Sequence, residues 1–298
     1  MCNVIIIARV LASRGCKVII NDPGIAYDGE GSTQTNIADQ LVEEIRSAGG
    51  DALANYDSVE NGEAIIDASM STYGRIDIVI NNAGIVTPET WTELTLESWQ
   101  KTINVNLTGV FSVMKAVWPT FIQQKYGRAV FTASPAIYGA GVAAYAASKA
   151  AVIGIANSLQ FEAKKLKLDI NCNTIIPQAS TRMVKDLNSD INVNRLAKGK
   201  SELKSAPQEI LDQLGPEKVS AMAVWLSHKD CGYQAKVFEA RAGYFAQLNW
   251  ARSTPLFATE KDGVVNAPTP ENIKDGQKVL DNFMSGDMPN SGDGKMGA

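Results

Sequence analysis

Short runs of β-branched and apolar residues alternate along this chain with longer segments whose apolar positions recur at helical period. That alternation predicts an α/β fold, a parallel sheet covered by helices on both faces. The runs place strands at 17–21, 53–56, 76–81, 128–133, 169–175 and 236–239, and the helical periods fall near 37–48, 62–73, 96–124, 144–166 and 215–226. The apolar run 4–7, followed by Arg9 and Arg14, is faintly like a targeting peptide. It is too short for a membrane span, shows no small-residue cleavage site and reads as a structural helix. Nothing else approaches a transmembrane length. No repeat and no dividing linker stands out before residue 250, so residues 1–258 are expected to form one domain and 259–298 a largely irregular extension. The polar segment 181–207 interrupts the alternation where an active-site lid would be inserted, and it suits a plain surface loop equally well. The extension holds one weakly amphipathic stretch, 270–284, and a Gly/Ser/Asp-rich tail, 285–298, expected to be disordered.

With 45% hydrophobic residues among 298, the chain can close a substantial core. Its formal charge of −4 and pI near 5.2 lack the positive field that holds a nucleic-acid backbone or an anionic membrane, so neither is an expected partner. Cys2, Cys16, Cys172 and Cys231 show no short paired spacing, which argues against a zinc site and a secreted disulfide framework and favours a reducing, intracellular compartment. His228 is the only histidine. A His-based metal cluster is thereby excluded, no metal is expected, and a Ser–His–acid triad would need a residue that reads more simply as the end of a helix.

The candidate chemistry begins at Tyr145 and Lys149. They sit in an alanine-rich stretch that should be helical, and their i,i+4 spacing puts both side chains on one face. An ammonium beside a phenol favours the phenolate, and a tyrosine with an ordinary pKa of about 10 needs such help to exchange protons near neutrality. Upstream, 76–84 reads as a buried strand ending in Asn81, Asn82, Ala83 and Gly84, small enough to let a flat ligand lie on the backbone. Asn104 and Asn106 interrupt a helical pattern and suggest a kink or a bound water. The strand 128–133 delivers hydroxyls, Thr132 and Ser134, just ahead of the Tyr145 helix. Because parallel strands end on one edge, these pieces can meet in one crevice.

Together, Asn81-Asn82-Ala83-Gly84, the asparagine before Leu107-Thr108-Gly109, the hydroxyl-bearing strand end and the Tyr145–Lys149 pair resemble the short-chain dehydrogenase/reductase family over about residues 8–250. The stretches 18–22, 54–59, 125–128, 175–183 and 237–243 are similar to the (3R)-hydroxyacyl-CoA dehydrogenase units of peroxisomal multifunctional β-oxidation enzymes. The resemblance implies a Rossmann-type doubly wound sheet and an NAD-dependent oxidoreductase. Such an enzyme interconverts a secondary alcohol and a ketone, here on a 3-hydroxyacyl-CoA or a similar acyl or polyketide-like small molecule. It implies that Tyr145 moves the proton at the substrate oxygen, Lys149 holds the nicotinamide ribose and lowers the phenol's pKa, Asn106 holds a relay water, and Ser134 polarises the carbonyl. Asp22 would bind the adenosine ribose and repel a 2′-phosphate, favouring NAD over NADP. Asp57 would cap the adenine, Asn82, Ala83 and Gly84 would line the adenosine side, and Pro177 and Thr181 would border the nicotinamide and phosphates. A homodimer or homotetramer through helices 96–124 and 144–166 is implied as well, with a peroxisomal or cytoplasmic location, although 295–298 is not Ser-Lys-Leu.

Plainer readings stand beside these roles. Asp22 also suits a turn before Pro23 and Gly24, Asp57 a cap before the Gly62 helix, Asn106 a buried core amide, and Tyr138 and Tyr145 packing aromatics. Two features depart from the family pattern. Counting back from Gly15 and Asp22, the last glycine of the family's Gly-x-x-x-Gly-x-Gly turn would fall at Val4 and its first strand ahead of Met1. A sheet ordered 3-2-1-4-5-6-7 would then lack its central strand, leaving strands two and four with open edges or forcing a rearrangement. This sustains a second expectation, a catalytically inactive relative or a fragment of a multifunctional enzyme that binds cofactor poorly. The family also places its serine thirteen residues before the tyrosine, at Thr132, whereas the subgroup match selects Ser134, eleven before.

Overall fold

Side chains branched at Cβ pack well on a pleated surface that is covered on both faces, and the valine- and isoleucine-rich runs accordingly form parallel strands. The computed structural model describes residues 3–31, 37–139, 141–181, 186, 189, 214–253, 260–261, 264–265, 270–275 and 281. The first two strands, β1 (Lys17–Asn21) and β2 (Asp51–Asn55), pair in parallel with Asn21 opposite Asn55. A second sheet runs in the order β3 (Ile78–Asn81), β4 (Tyr126–Thr132), β5 (Asp169–Gln178), β6 (Val237–Arg241) and β7 (Tyr244–Leu248). Neighbours from β3 to β6 are parallel. β4 and β5 are buried along most of their length, whereas β1 and β3 are mostly half-buried. Among the described residues β1 pairs only with β2 and β3 only with β4. The two open edges anticipated from the sequence are therefore present, and no rearrangement pairs them with each other.

Helix α1 (Asn3–Ala12) joins the two sheets. At about 100° per residue, Ile5, Ala8 and Ala12 fall on one face and Ile7 and Leu11 on a second face roughly 110° round the helix. The first face packs with Ile20, Ala52 and the buried residues of α2 (Ile37–Ser47). The second packs with Val130, Ile175 and Phe238 of the larger sheet and with Ala223 and Leu226 of α7 (Glu217–Leu226). One short helix thus belongs to two cores. Elsewhere α3 (Gly62–Tyr73), α4 (Leu96–Ile103), α5 (Gly109–Gln124) and α6 (Ala143–Lys165) cover the strands. Thr95 caps α4 by accepting from the Ser98 amide, and Gly74, at φ 71°, closes α3 in the left-handed region that glycine enters without a Cβ clash. The Arg128 side chain, 1% exposed, donates to the Gly127, Asp169 and Lys229 carbonyls and pairs with Asp169, stitching β4, β5 and the turn after α7.

Several expectations need correction. β5 runs on to Gln178, and β7, which follows the turn at Ala242 and Gly243, has no counterpart among the six anticipated strands. The stretch Leu96–Gln124 is not one regular helix, because residues 104–108 form a π-helical turn between α4 and α5. That stretch is 29 residues long and apolar enough to cross a membrane by length and composition, contrary to the sequence reading. Val113, Met114, Val117, Trp118 and Phe121 are nevertheless buried, with α5 packed on α3 and β4, the arrangement of a core helix. By contacts the chain divides into Met1–Gln247 and Leu248–Ala298. In the second unit β8 (Glu260–Lys261) pairs antiparallel with β9 (Val264–Val265), and α8 spans Pro270–Asp275. The tail 285–298, and nearly all of the possible lid at 181–207, lie outside the described residues.

The two-faced role of α1 predicts that Ile7→Ala, which empties a site only 2% exposed, costs about 2–5 kcal/mol of unfolding free energy in urea. Ile5→Ala, at a half-buried position, should cost clearly less. A loss at Ile7 with none at Ile5 would contradict the bridging role.

Candidate active site

The parallel strands bring their carboxyl ends to one edge, and the chemistry-bearing residues gather there. Tyr145 and Lys149 lie in the first turns of α6, where Ala144 and Ser148 are buried. Lys149 is 3% exposed, and its Nζ donates to the Thr132 carbonyl at the end of β4 (2.9 Å). Burial disfavours the ammonium and lowers its pKa from 10.5 to about 8. Burial also raises the Tyr145 phenol above its ordinary value, while the Ser134 hydroxyl, within reach of a hydrogen bond, pulls the other way. The sequence reading gave that lowering to Lys149. In the structure Nζ stands 5.6 Å from the centre of the Tyr145 ring and is directed to Thr132, so the group that opposes burial is Ser134.

The two candidate hydroxyls separate in the same way. Thr132 Oγ1 donates to Asn82 Oδ1 (3.3 Å), while Ser134 follows β4 in extended backbone and caps the short 3-10 turn Pro135–Tyr138 by accepting from the Ala136 amide. The turn is pinned at its far end by Tyr138, whose hydroxyl donates to Glu239 of β6 (2.6 Å). Burial and that carboxylate push the Tyr138 phenol up to about 12. This tether was not anticipated, because its partners are 101 residues apart.

Asn106 occupies the π-helical turn and is fully buried. Its Oδ1 accepts from the Ile85 amide (2.8 Å) and its Nδ2 donates to the Ile85 carbonyl (2.9 Å) and to Ser148 Oγ (3.2 Å). Those bonds are the core-amide arrangement, and they tie the segment after β3 to α6. A Cβ added at Gly84 would stand 3.2 Å from both Asn106 Oδ1 and Lys149 Nζ, so glycine keeps this strip of backbone open.

At the far side of the edge, Asp22 directly follows β1 and its Oδ1 accepts from the Gly24 amide (2.8 Å), the turn geometry that was its plainer reading. Asp57 is not a helix cap. It is held by Asn21 and Asn55, whose side chains bond to each other (2.7 Å) and to Asp57. Their signal in the sequence was slight: an asparagine at the end of each of two strands, close before an acid. Asn82 follows β3 with Ala83 and Gly84, and Pro177 lies near the end of β5 opposite Ala240. Thr181 comes three residues beyond β5, beside Ser180, whose amide donates to Leu214 O and so brings together the two flanks of the insertion. His228 stacks on Trp225 just past α7, away from these groups in sequence and in role.

The family model for short chain dehydrogenases matches residues 6–192. Over 285 residues the chain is 35% identical to peroxisomal multifunctional enzyme type 2 of Mus musculus, covering 95% of this chain and 35% of that protein. Over 250 residues it is 40% identical to the peroxisomal hydratase-dehydrogenase-epimerase of Saccharomyces cerevisiae, covering 83% of this chain and 25% of that one. The chain therefore spans about a quarter to a third of these two relatives. Among solved structures, full-length peroxisomal multifunctional enzyme type 2 from Drosophila melanogaster aligns with a TM-score of 0.72 at 26% identity, over 95% of this chain and 44% of that one.

The buried ammonium predicts a pH signature. Below about pH 8 the folded chain carries a desolvated charge that the unfolded chain, with its lysine near 10.5, hydrates freely. Between these values the unfolded chain binds more protons, so the native state gains stability as pH rises. Relative to Lys149→Met, the native chain should gain up to about 3 kcal/mol between pH 8 and 10.5. Urea denaturation of both proteins across that range measures it, and parallel curves would rule out a depressed lysine.

Proposed function

Because the chain belongs to the short-chain dehydrogenase/reductase family, we propose that it is an NAD-dependent oxidoreductase interconverting a secondary alcohol and a ketone on a 3-hydroxyacyl thioester or a related acyl substrate. The observation that carries this reading is the meeting of Ser134, Tyr145 and Lys149 at the carboxyl end of β4, beside the open backbone of Gly84. The substrate class is supported by the motif resemblance and by the yeast relative, named for hydratase and dehydrogenase activities together. A dehydrogenase beside a hydratase takes the secondary alcohol made by adding water across a double bond. Both relatives are named peroxisomal, which supports the peroxisome as the place of action.

The residues fit a nicotinamide dinucleotide. Gly84 leaves a cradle that a Cβ would crowd, Asp22 and Asp57 offer carboxylates at the adenosine end, and Lys149 lies at the nicotinamide end. Asn82 and Ala83 would line the strip between, with Pro177 and Thr181 bordering the other side. When bound, the cofactor supplies or accepts the hydride. Tyr145 gives a proton to the substrate oxygen in reduction and withdraws one in oxidation. A phenol raised by burial is protonated at neutrality, so it stands ready as a donor. Ser134 donates to the same oxygen and stabilises the negative charge that develops there. Lys149 holds the ribose hydroxyls. Asn106 has both amide hydrogens engaged, its Oδ1 and Lys149 Nζ both border Gly84, and it would hold the relay water that leads to the lysine. Exposed Phe111 on α5 and Phe161 on α6 support association of like subunits through these helices. The open edges of β1 and β3 favour a second reading, a binding protein of the same fold without turnover.

Tyr145→Phe should abolish most turnover of a 3-hydroxyacyl-CoA while leaving NADH affinity within about twofold, because the ring stays and only the transferable proton goes. Full turnover by that variant would reject the assignment, and NADH binding without turnover in the native chain would favour the second reading. Asp22→Ala should narrow the preference for NAD over NADP in a fluorescence titration, by removing repulsion against the 2′-phosphate. Tighter binding of NADP by the native chain would contradict it.

A further inference from the structure

Three hydrogen bonds from one asparagine pair converge on Asp57. Asn21 ends β1 and Asn55 ends β2, and the two are partners in the parallel register. Asn55 is 8% exposed. Its Nδ2 donates to Asp57 Oδ2 (2.8 Å), and its Oδ1 accepts from the Asp57 amide (3.2 Å) and from Asn21 Nδ2 (2.7 Å). Asn21 Nδ2 also donates to the Asp57 carbonyl (2.8 Å). The chemistry leaves no choice about which way these amides face. An amide N–H can only donate, while a carboxylate and a carbonyl can only accept, so either side chain turned over would set like groups against each other. Backbone N–H, backbone C=O and carboxylate of Asp57 are each held by an atom of the pair. Oδ2 is taken by Asn55, and Oδ1 takes none of these bonds.

We propose that Asn55, supported by Asn21, is a positioning residue for base selection. It fixes Asp57 so that the carboxylate accepts the 6-amino group of an adenine and opposes a purine with a 6-oxo group. The proposal rests on the reading that this site binds an adenine dinucleotide, and it adds which residues make the choice of base. An unfixed carboxylate could rotate away from a carbonyl or recruit water, and its preference would then be small. Held from three sides, it meets an amino group with a charge-assisted bond and a 6-oxo group with repulsion. The side chains of both asparagines are engaged with Asp57 and with each other, so their effect would run through Asp57.

The test is a fluorescence titration of the full chain with NADH and with reduced nicotinamide hypoxanthine dinucleotide, which bears oxygen in place of the 6-amino group and a proton on N1. The native chain should bind NADH roughly tenfold tighter or more. Asn55→Leu should bring the ratio of the two dissociation constants to within about twofold of one, mainly by losing NADH affinity. A merely structural role would weaken both nucleotides alike and leave the ratio unchanged. Should Asn55→Leu fail to fold, as judged by its melting curve, Asn21→Ala removes the bonds to the Asp57 carbonyl and to Asn55 and should lower the same ratio. Equal affinity of the native chain for the two nucleotides, or a ratio that neither variant changes, overturns the proposal while the oxidoreductase reading stands. Failure of the native chain to bind either nucleotide overturns both.

Discussion

The frame of the site depends first on a ten-residue helix that must satisfy two cores at once. The residues that would hold an adenosine stand at the ends of β1 and β2, and those that would move a proton stand at the end of β4 and the start of α6. No described strand pairing joins these halves. They are held in one frame by α1, with Ala8 and Ala12 against the smaller sheet and Ile7 and Leu11 against the larger, and by the start of α3, where Ser112 of α5 accepts from the Gly62 amide and donates to the Glu60 carbonyl. Sheet edges expose unpaired backbone groups and are ordinarily protected. Here the half-buried β1 and β3 flank the helix, and side-chain packing substitutes for the ladder of hydrogen bonds that a shared strand would provide.

The second constraint is electrostatic. Lys149 is buried almost completely with, among the described residues, one backbone carbonyl as its hydrogen-bond partner, and burying an ammonium so sparsely solvated is unfavourable. Tyr145 feels the same surroundings in the opposite sense, since desolvation keeps the phenol protonated. The two pKa values, ordinarily close together, are thereby driven apart: an amine more readily deprotonated beside a phenol less readily so. Such perturbed groups clustered at the mouth of a parallel sheet are what acid–base chemistry at a carbonyl requires. Asn106 contributes by geometry. The π-helical turn admits one more residue to the helix and turns its amide onto the Ile85 backbone, which fixes the segment following Gly84 against α6.

The strand at 17–21, the one expected at 128–133 and found at Tyr126–Thr132, the helix beginning at Gly62 and the Tyr145–Lys149 spacing were legible because each depends on local chemistry: alternation, capping, or the pitch of one helix. β7 was not, since Tyr244–Leu248 has exposed aromatic positions and no buried stripe to announce it. The π-helical turn showed only as two ill-placed asparagines. Asp22 displayed its turn geometry plainly, whereas Asp57 looked like a cap because its true partners come from two different strands.

By itself, then, the sequence determined the alternation of strand and helix, the parallel character of the sheet, the family and the identity of the residues at its edge, because these follow from side chains that are neighbours along the chain. Tertiary structure alone decided which hydroxyl faces Tyr145, which group Lys149 binds, how Asn21 and Asn55 capture Asp57 and how α1 spans two open sheet edges. Each of those is set by residues brought together from distant segments. Such contacts depend on register and packing, which no local periodicity encodes.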